Sequence, residues 1–288
     1  MNDIIEMKSI AKRLNDITFT DYYYRLMLLA RSVFKWKGLP NGIDEKWLER
    51  YLFTEGSCIF FKDSTLGFMI SKYTDSGMLN FYDEPTKVRP TATNYNSFND
   101  YENNKEAVII RNNDAMIPTS QTVQLYALRL AEISRTIDIN INAMKTPILI
   151  LCSEKQKMTL KNVYKQWSGN EPVILGDKNL DIEGIKCLKT DAPIVFDKLQ
   201  IQKHAIWNEC MTYLGINNAN MDKRERLVDD EVQANNEQIE MSAEVMLKSR
   251  QRAAEQINSL FDLNLSVEIR KSLKGTNMDV LGGGENVR

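Results

Sequence analysis

SQTVQLYALRLAEISRTIDININAMK, residues 120–145, is the most strongly periodic stretch of this 288-residue sequence. Pro118 and Thr119 give a helix start signal ahead of it, and Thr146 and Pro147 a stop behind it. Val123, Tyr126, Ala127, Leu130, Ile133, Ile137 and Ile141 recur at helical spacing and make one apolar stripe. Leu125, Leu128 and Ile139 lie off that stripe. The spacing predicts a helix of about 25 residues, roughly 37 Å long. A helix that is apolar on more than one side needs neighbours on more than one side. A compact monomer can meet that need, whereas a ring of packed helices requires it.

On the C-terminal side, residues 147–190 read as a compact α/β insertion, with PILILC, EPVILG and IKCLK as strands and LKNVYKQW as a short helix. Asp191 and Pro193 then open a second long helix, with Val195, Leu199, Ile206, Cys210 and Tyr213 or Leu214 on its apolar face. Lys198, Gln202 and Glu209 fall on its polar side. Residues 217–239 are highly polar and read as a solvated loop; the stretch 222–240 holds three basic and seven acidic residues. A final amphipathic helix, about 240–262, uses Val245, Met246, Ala253, Ile257 and Leu260, and LNLSVEIR reads as a closing strand. The tail GTNMDVLGGGENVR lacks core residues.

On the N-terminal side, residues 1–20 read as a weakly amphipathic arm. Residues 21–37 read as a helix capped by Asp21, with Tyr22, Leu26, Leu29, Val33 and Trp36 at helical spacing. A shorter helix follows at 44–53. Between residues 57 and 111, short β-rich runs separated by Asp, Ser, Gly and Pro predict a small antiparallel sheet or barrel, with 93–104 as an exposed loop.

The hydrophobic fraction of 43% and charged fraction of 26% are ordinary for a folded soluble chain. No apolar run approaches the roughly 18 residues that cross a bilayer, so no membrane partner is expected. The N-terminus does not read as a signal peptide. Cys58, Cys152, Cys187 and Cys210 are scattered and read as reduced, buried thiols. His204, the one histidine, sits on an amphipathic helix with no nucleophile motif nearby and reads as structural. The Gly282–Gly284 cluster has neither the preceding strand nor the following Lys of a phosphate loop. Asp229, Asp230 and Glu231 are adjacent acids without the spacing of a calcium loop. The expectation is therefore a protein with no enzymatic activity, no cofactor and no metal. The formal net charge of −2 argues against a protein that clamps nucleic acid along a basic groove.

Residues 20–270 resemble the portal (head–tail connector, or upper collar) proteins of small, short-tailed, protein-primed phages. The resemblance is carried by long collinear runs: VFKWKGLP (33–40), NNDAMIPT (112–119), LAEI and NINAMKTPILI within 130–150, and LKNVYKQWSGNEPVI (160–174). It continues through KTDAPIVFDKLQIQKHAIWNECMTYLGINNANMDKRERLVDDEV (189–232), NNEQIE (235–240) and LKSR (247–250). The resemblance implies an α+β portal fold with long stem helices, a β-rich, small barrel-like wing domain and a small α/β clip insertion. On it, 1–20 would be an N-terminal arm, 21–118 wing, 119–146 a stem helix, 147–190 clip and 191–216 a second stem helix. Residues 217–239 would be a tunnel loop, 240–274 wing helix and strand, and 275–288 a mobile C-terminal tail.

The same resemblance implies a homo-oligomer, a twelve-fold ring at one capsid vertex of the virion, assembled in the host cytoplasm. Double-stranded DNA would be packaged and ejected through it. Its partners would be the major capsid and scaffolding proteins, the lower collar or tail protein, and a packaging ATPase, with packaging RNA in some relatives. Matching positions would place Lys189, Lys198, Lys223 and Arg224 along the DNA channel, and Asp229, Asp230, Glu231, Asn235 and Asn236 on the tunnel loop. One lysine per subunit becomes a ring of positive charge after symmetric assembly. A mostly acidic wall keeps the number of phosphates engaged at once low, so DNA slides. The N-terminus departs from the strongly basic arm of some relatives: residues 1–13 set Lys8, Lys12 and Arg13 against Asp3 and Glu6. The alternative from a different class is a DNA-binding accessory protein of phage assembly without ring symmetry.

Overall fold

The computed structural model describes residues 2–92, 95–96, 99–144, 148–150, 185–187, 195–217 and 229–270, with side chains within 12–92, 99–141, 195–217 and 237–270. The chain divides into two compact units, Met1–Glu132 with Lys203–Arg288, and Ile133–Gln202.

The first unit opens with helix α1 (Asn2–Ala30), strand β1 (Phe34–Lys37) and helix α2 (Glu45–Glu55). Two sequence expectations change here. The arm expected over 1–20 is continuous with the helix that follows it, and that helix ends at Ala30 rather than at 37. FKWK alternates apolar and charged residues, and Phe34 and Trp36 are buried while Lys35 and Lys37 are exposed. That period of two suits a strand with one buried face. The strand pairs antiparallel with the closing strand β10 (Ser266–Ile269), from Phe34↔Ile269 to Lys37↔Ser266. A long-range partner therefore overrides the local helical spacing.

α2 starts at Asp44, whose side chain accepts the Lys46 N–H at 2.9 Å. It ends at Gly56, whose φ of 81° is left-handed and whose N–H caps Leu52 O. A Cβ at Gly56 would stand 1.9 Å from the Met116 carbonyl oxygen, so only glycine fits this turn.

The expected β-rich region is an antiparallel six-stranded sheet, in the order β5-β4-β3-β2-β7 with β6 also on β4. Its strands are β2 (Ser57–Asp63), β3 (Gly67–Leu79), β4 (Pro85–Ala92), β5 (Tyr95–Asn96), β6 (Tyr101–Glu102) and β7 (Ala107–Arg111). The stretch 93–104, expected as a loop, contributes the two short strands β5 and β6. Central strand β2 is buried on both faces. Ile59 and Phe61 join Val88, Ala107 and Ile109 on one side. Phe60 meets Phe261 on the other, with ring centroids 5.5 Å apart.

Two helices expected from sequence follow as α3 (Thr119–Met144) and α4 (Phe196–Leu214). Within the second unit, the described strands β8 (Ile148–Ile150) and β9 (Ile185–Cys187) pair antiparallel. The rest of the expected insertion, including LKNVYKQW and EPVILG, lies outside the described residues, as does the tail 275–288.

The final helix α5 runs from Asp229 to Phe261, so the polar stretch expected as loop through 239 is helical from Asp229 onward. Asp229, Asp230 and Glu231 occupy its first turn, where the helix dipole favours negative charge. Acidity that resembles a solvated loop is here a helix start. Val245, assigned to the apolar face from sequence, is 57% exposed. The buried stripe runs instead through Ile239, Ala243, Met246, Arg250, Ala253 and Ile257.

Arg250 is the largest fully buried side chain among the described residues. Its Nε and Nη2 donate to Glu49 of α2, each at 2.9 Å. Nη1 donates to the carbonyls of Asn112 and Met246 at 3.0 Å, and Nη2 also reaches Asn112 Oδ1 at 2.9 Å. The guanidinium lies 4.1 Å from the centroid of the Phe34 ring in β1. Glu49 also accepts the Trp36 indole N–H at 2.8 Å, and Asn112 donates to Thr119 Oγ1 at 2.9 Å at the start of α3. Replacing Arg250 by Met strands a buried carboxylate. It should cost about 3–5 kcal/mol, whereas Arg250→Met with Glu49→Leu should cost less than the single change. Chemical denaturation of both variants checks this, and equal losses would refute the pairing.

Candidate functional site

Where the first unit contains them, α3 and α4 lie against each other through a small polar clasp. Tyr126 donates its phenolic hydrogen to Glu209 Oε1 at 3.1 Å. Arg129 pairs with Glu209 Oε2 at 3.2 Å, and its guanidinium lies 5.7 Å from the Tyr126 ring centroid. Burial first, then the hydrogen bond to Glu209, pushes the Tyr126 phenol up to about 12. Val123, Tyr126, Ala127 and Leu130 of α3 and Ile206, Cys210 and Leu214 of α4 are buried, as the sequence stripes predict, and Met211, outside the predicted face, is buried with them.

The residues that lie off the α3 stripe are exposed in the single chain. Leu125 is 54% exposed and Leu128 50%. In the second unit, Ile139 of α3 and Ile201 of α4 are exposed too. Ile141, counted with the buried stripe from sequence, is also exposed.

Of the residues expected along a channel, Lys198 stands exposed on α4 in the second unit. Lys189, Lys223 and Arg224 lie outside the described residues. Asp229, Asp230, Glu231, Asn235 and Asn236 belong by backbone to the start of α5, and their side chains are not among those described. Of the four basic residues, Lys198 alone is among those described.

The described groups with chemical potential are occupied structurally. His204 is half-buried on α4. Burial drives the Cys58 thiol far above its ordinary range and the Cys210 thiol up to about 12, which leaves both unreactive at neutral pH. A polar cleft of about 110 Å³ holds Glu84 paired with Arg111 and Asp114 paired with Arg252. Among the described residues, no three His, Cys, Asp or Glu side chains gather where a metal ion could bind. No described helix is long and apolar enough to cross a membrane.

A family model for the phage connector, Phage Connector (GP10), matches residues 3–274, nearly the whole chain. The chain belongs to the phage connector family. Among solved structures, this connector is similar to a chain of the portal and tail of native bacteriophage P68. The match has a TM-score of 0.53 at 16% identity and covers 96% of the connector and 95% of that chain. At that identity the likeness is one of fold, and it assigns the connector the α+β portal fold. A chain of the virion of the native gene transfer agent particle matches at TM-score 0.48 and 9% identity, covering 90% of the connector and 83% of its own length. An HK97-family phage portal protein from Corynebacterium diphtheriae matches at 0.41 and 10%, covering 87% and 92%.

The Tyr126 clasp makes the connector's stability depend on alkaline pH. A phenol raised in the folded state contributes stability below its unfolded value near 10, and the contribution is lost as pH rises towards about 12. Tyr126→Phe should lose roughly 1 kcal/mol at neutral pH and flatten the decline above pH 10. Thermal melts across that range check it; parallel curves for the two proteins would count against the clasp.

Proposed function

We propose that the connector is the portal subunit of a short-tailed phage. Copies of it form a ring at one capsid vertex through which double-stranded DNA enters and leaves, and the ring joins head to tail. It acts as a structural component of the virion rather than as an enzyme, and it is the docking point for the packaging ATPase. Capsid and scaffolding proteins, and a lower collar or tail protein, are its other partners.

The observation that carries the reading is the second apolar face of α3 in a chain of this family. Leu125 and Leu128 sit half-exposed on the helix that the family resemblance assigns to the stem. Burying such side chains is worth about 1.5–3 kcal/mol each, and a ring of identical subunits supplies the cover in every copy at once. Lys198, exposed on α4, fits a channel position. On this reading Lys189, Lys223 and Arg224 join it as sparse rings of positive charge, and residues 217–239 line the bore, their C-terminal part as the first turns of α5.

Electron microscopy of the purified protein should show rings with a central hole. Leu125→Asp with Leu128→Asp should abolish the rings while leaving a folded monomer by circular dichroism. A stable wild-type monomer at micromolar concentration would defeat the ring reading and favour a non-ring accessory protein.

Lys198→Ala with Lys223→Ala should leave rings intact but change DNA retention in filled heads, read as the fraction of particles that stay full. Loss of the rings themselves would show that these lysines are structural.

A further inference from the structure

Part of α1 is a stretch of helix that the other described residues leave uncovered. Every residue from Lys12 to Ile17 is exposed. Further along, α1 buries Tyr22 and Leu26 and turns its other side outward. On that outward side Leu14 is 42% exposed, Ile17 53%, Tyr24 54% and Leu28 62%. With Asp21 between them, these positions alternate by three and four residues, the spacing of a coiled-coil seam. In sequence the spacing runs back through Ile10 and Met7. The one polar member, Asp21, is held by Arg25 at 2.7 Å on the same helix. Isolated helical segments of this length are marginal in water, and such a seam is stable only against a partner.

A closed ring needs two different faces on each subunit, because the surface that reaches forward is not the surface that receives. The receiving face has to be found on this same chain. α5 presents one: Met241 is 68% and Val245 57% exposed, one helical turn apart on the side away from the buried stripe. Its charge is opposite to that of the α1 tip. Between residues 229 and 247 the sequence has six acidic residues and no Lys or Arg. Of these, Glu237, Glu240 and Glu244 are exposed beside Met241 and Val245. On α1, Lys12 and Arg13 immediately precede Leu14 and are exposed. The exposed leucines of α3 lack this complementarity, since the nearby Arg129 is already paired with Glu209.

We infer that the exposed seam of α1 packs on the Met241–Val245 face of α5 in the neighbouring copy of the connector, with Lys12 and Arg13 set against the acidic border of that face. The inference rests on the ring reading above and names one of the interfaces that closes the ring. It gives the N-terminal helix a protein partner, so its basic residues serve subunit contact.

The test uses the full-length protein with Cys152 and Cys187 replaced by Ser; Cys58 and Cys210 are buried. In this background Ile17→Cys and Val245→Cys are introduced singly and together and treated with a short bismaleimide. The double variant should give a ladder of covalent oligomers on a denaturing gel, and the parent and both single variants should not. Lys12→Glu with Arg13→Glu should lose rings, and adding Glu240→Lys with Glu244→Lys should restore them. A covalent dimer from Ile17→Cys alone would mean that α1 pairs with α1 and would overturn the inference. A ladder from Ile17→Cys with Phe81→Cys, on the exposed β3–β4 turn, would overturn it in favour of that turn. Rings by microscopy without any ladder refute this interface and leave the ring reading standing, whereas the absence of rings in the parent protein removes both.

Discussion

The buried guanidinium of Arg250 is the constraint on which the first unit of the connector depends. An Arg taken out of water is costly unless every donor finds an acceptor. Here all five N–H groups do: two on Glu49, two on Asn112 and one on the Met246 carbonyl. The acceptors come from α2, from the end of β7 and from α5 itself, and Phe34 of β1 covers the ring face. Residues more than two hundred positions apart are held in one geometry. Asn112 passes the constraint on by donating to Thr119 at the first turn of α3. The direction in which α3 leaves the sheet is thus tied to the same cluster that closes the β1–β10 pair.

Around that anchor, three helices of the first unit, α1, α3 and α5, have two apolar sides each, one buried internally and one left exposed. α1 buries Tyr22 and Leu26 but exposes Leu14 and Ile17. α3 buries Val123 and Leu130 but exposes Leu125 and Leu128. α5 buries Met246 and Ile257 but exposes Met241 and Val245. A solvated monomer gains nothing from this arrangement. In the ring proposed above, neighbouring copies would cover the second sides, and a few lysines of a chain of net charge −2 would recur at one level. Weak, repeated phosphate contacts of that kind suit passage better than retention.

Much of this was legible in the residue pattern. The helical repeat of 120–145 located α3 and separated its buried stripe from Leu125 and Leu128. Asp44 marked the start of α2, and the short β-rich runs marked the sheet. Long runs of family-like sequence point to a connector independently of the fold. What was not legible has identifiable causes. Val33 to Trp36 satisfies both a helical and a strand pattern, and the choice depends on Val267 and Ile269, more than two hundred residues away. The acids at 229–231 look the same in a loop and at a helix N-terminus. Val245 and Met246 are neighbours in sequence but about 100° apart on a helix, and only packing says which one faces inward.

The sequence by itself determined the family, the existence of the long helices α3 and α4 and the apolar surplus of α3, because those properties reside in residue spacing that no packing can alter. It also determined the formal net charge of −2, since charge is counted rather than folded. The tertiary structure decided where the surplus faces point, that the N-terminal segment is one continuous helix with residues 21–30, and that Arg250 lies at the centre of the first unit. A buried arginine has no signature in a linear pattern. Its stability comes from acceptors brought together from distant segments, and only the folded chain brings them together.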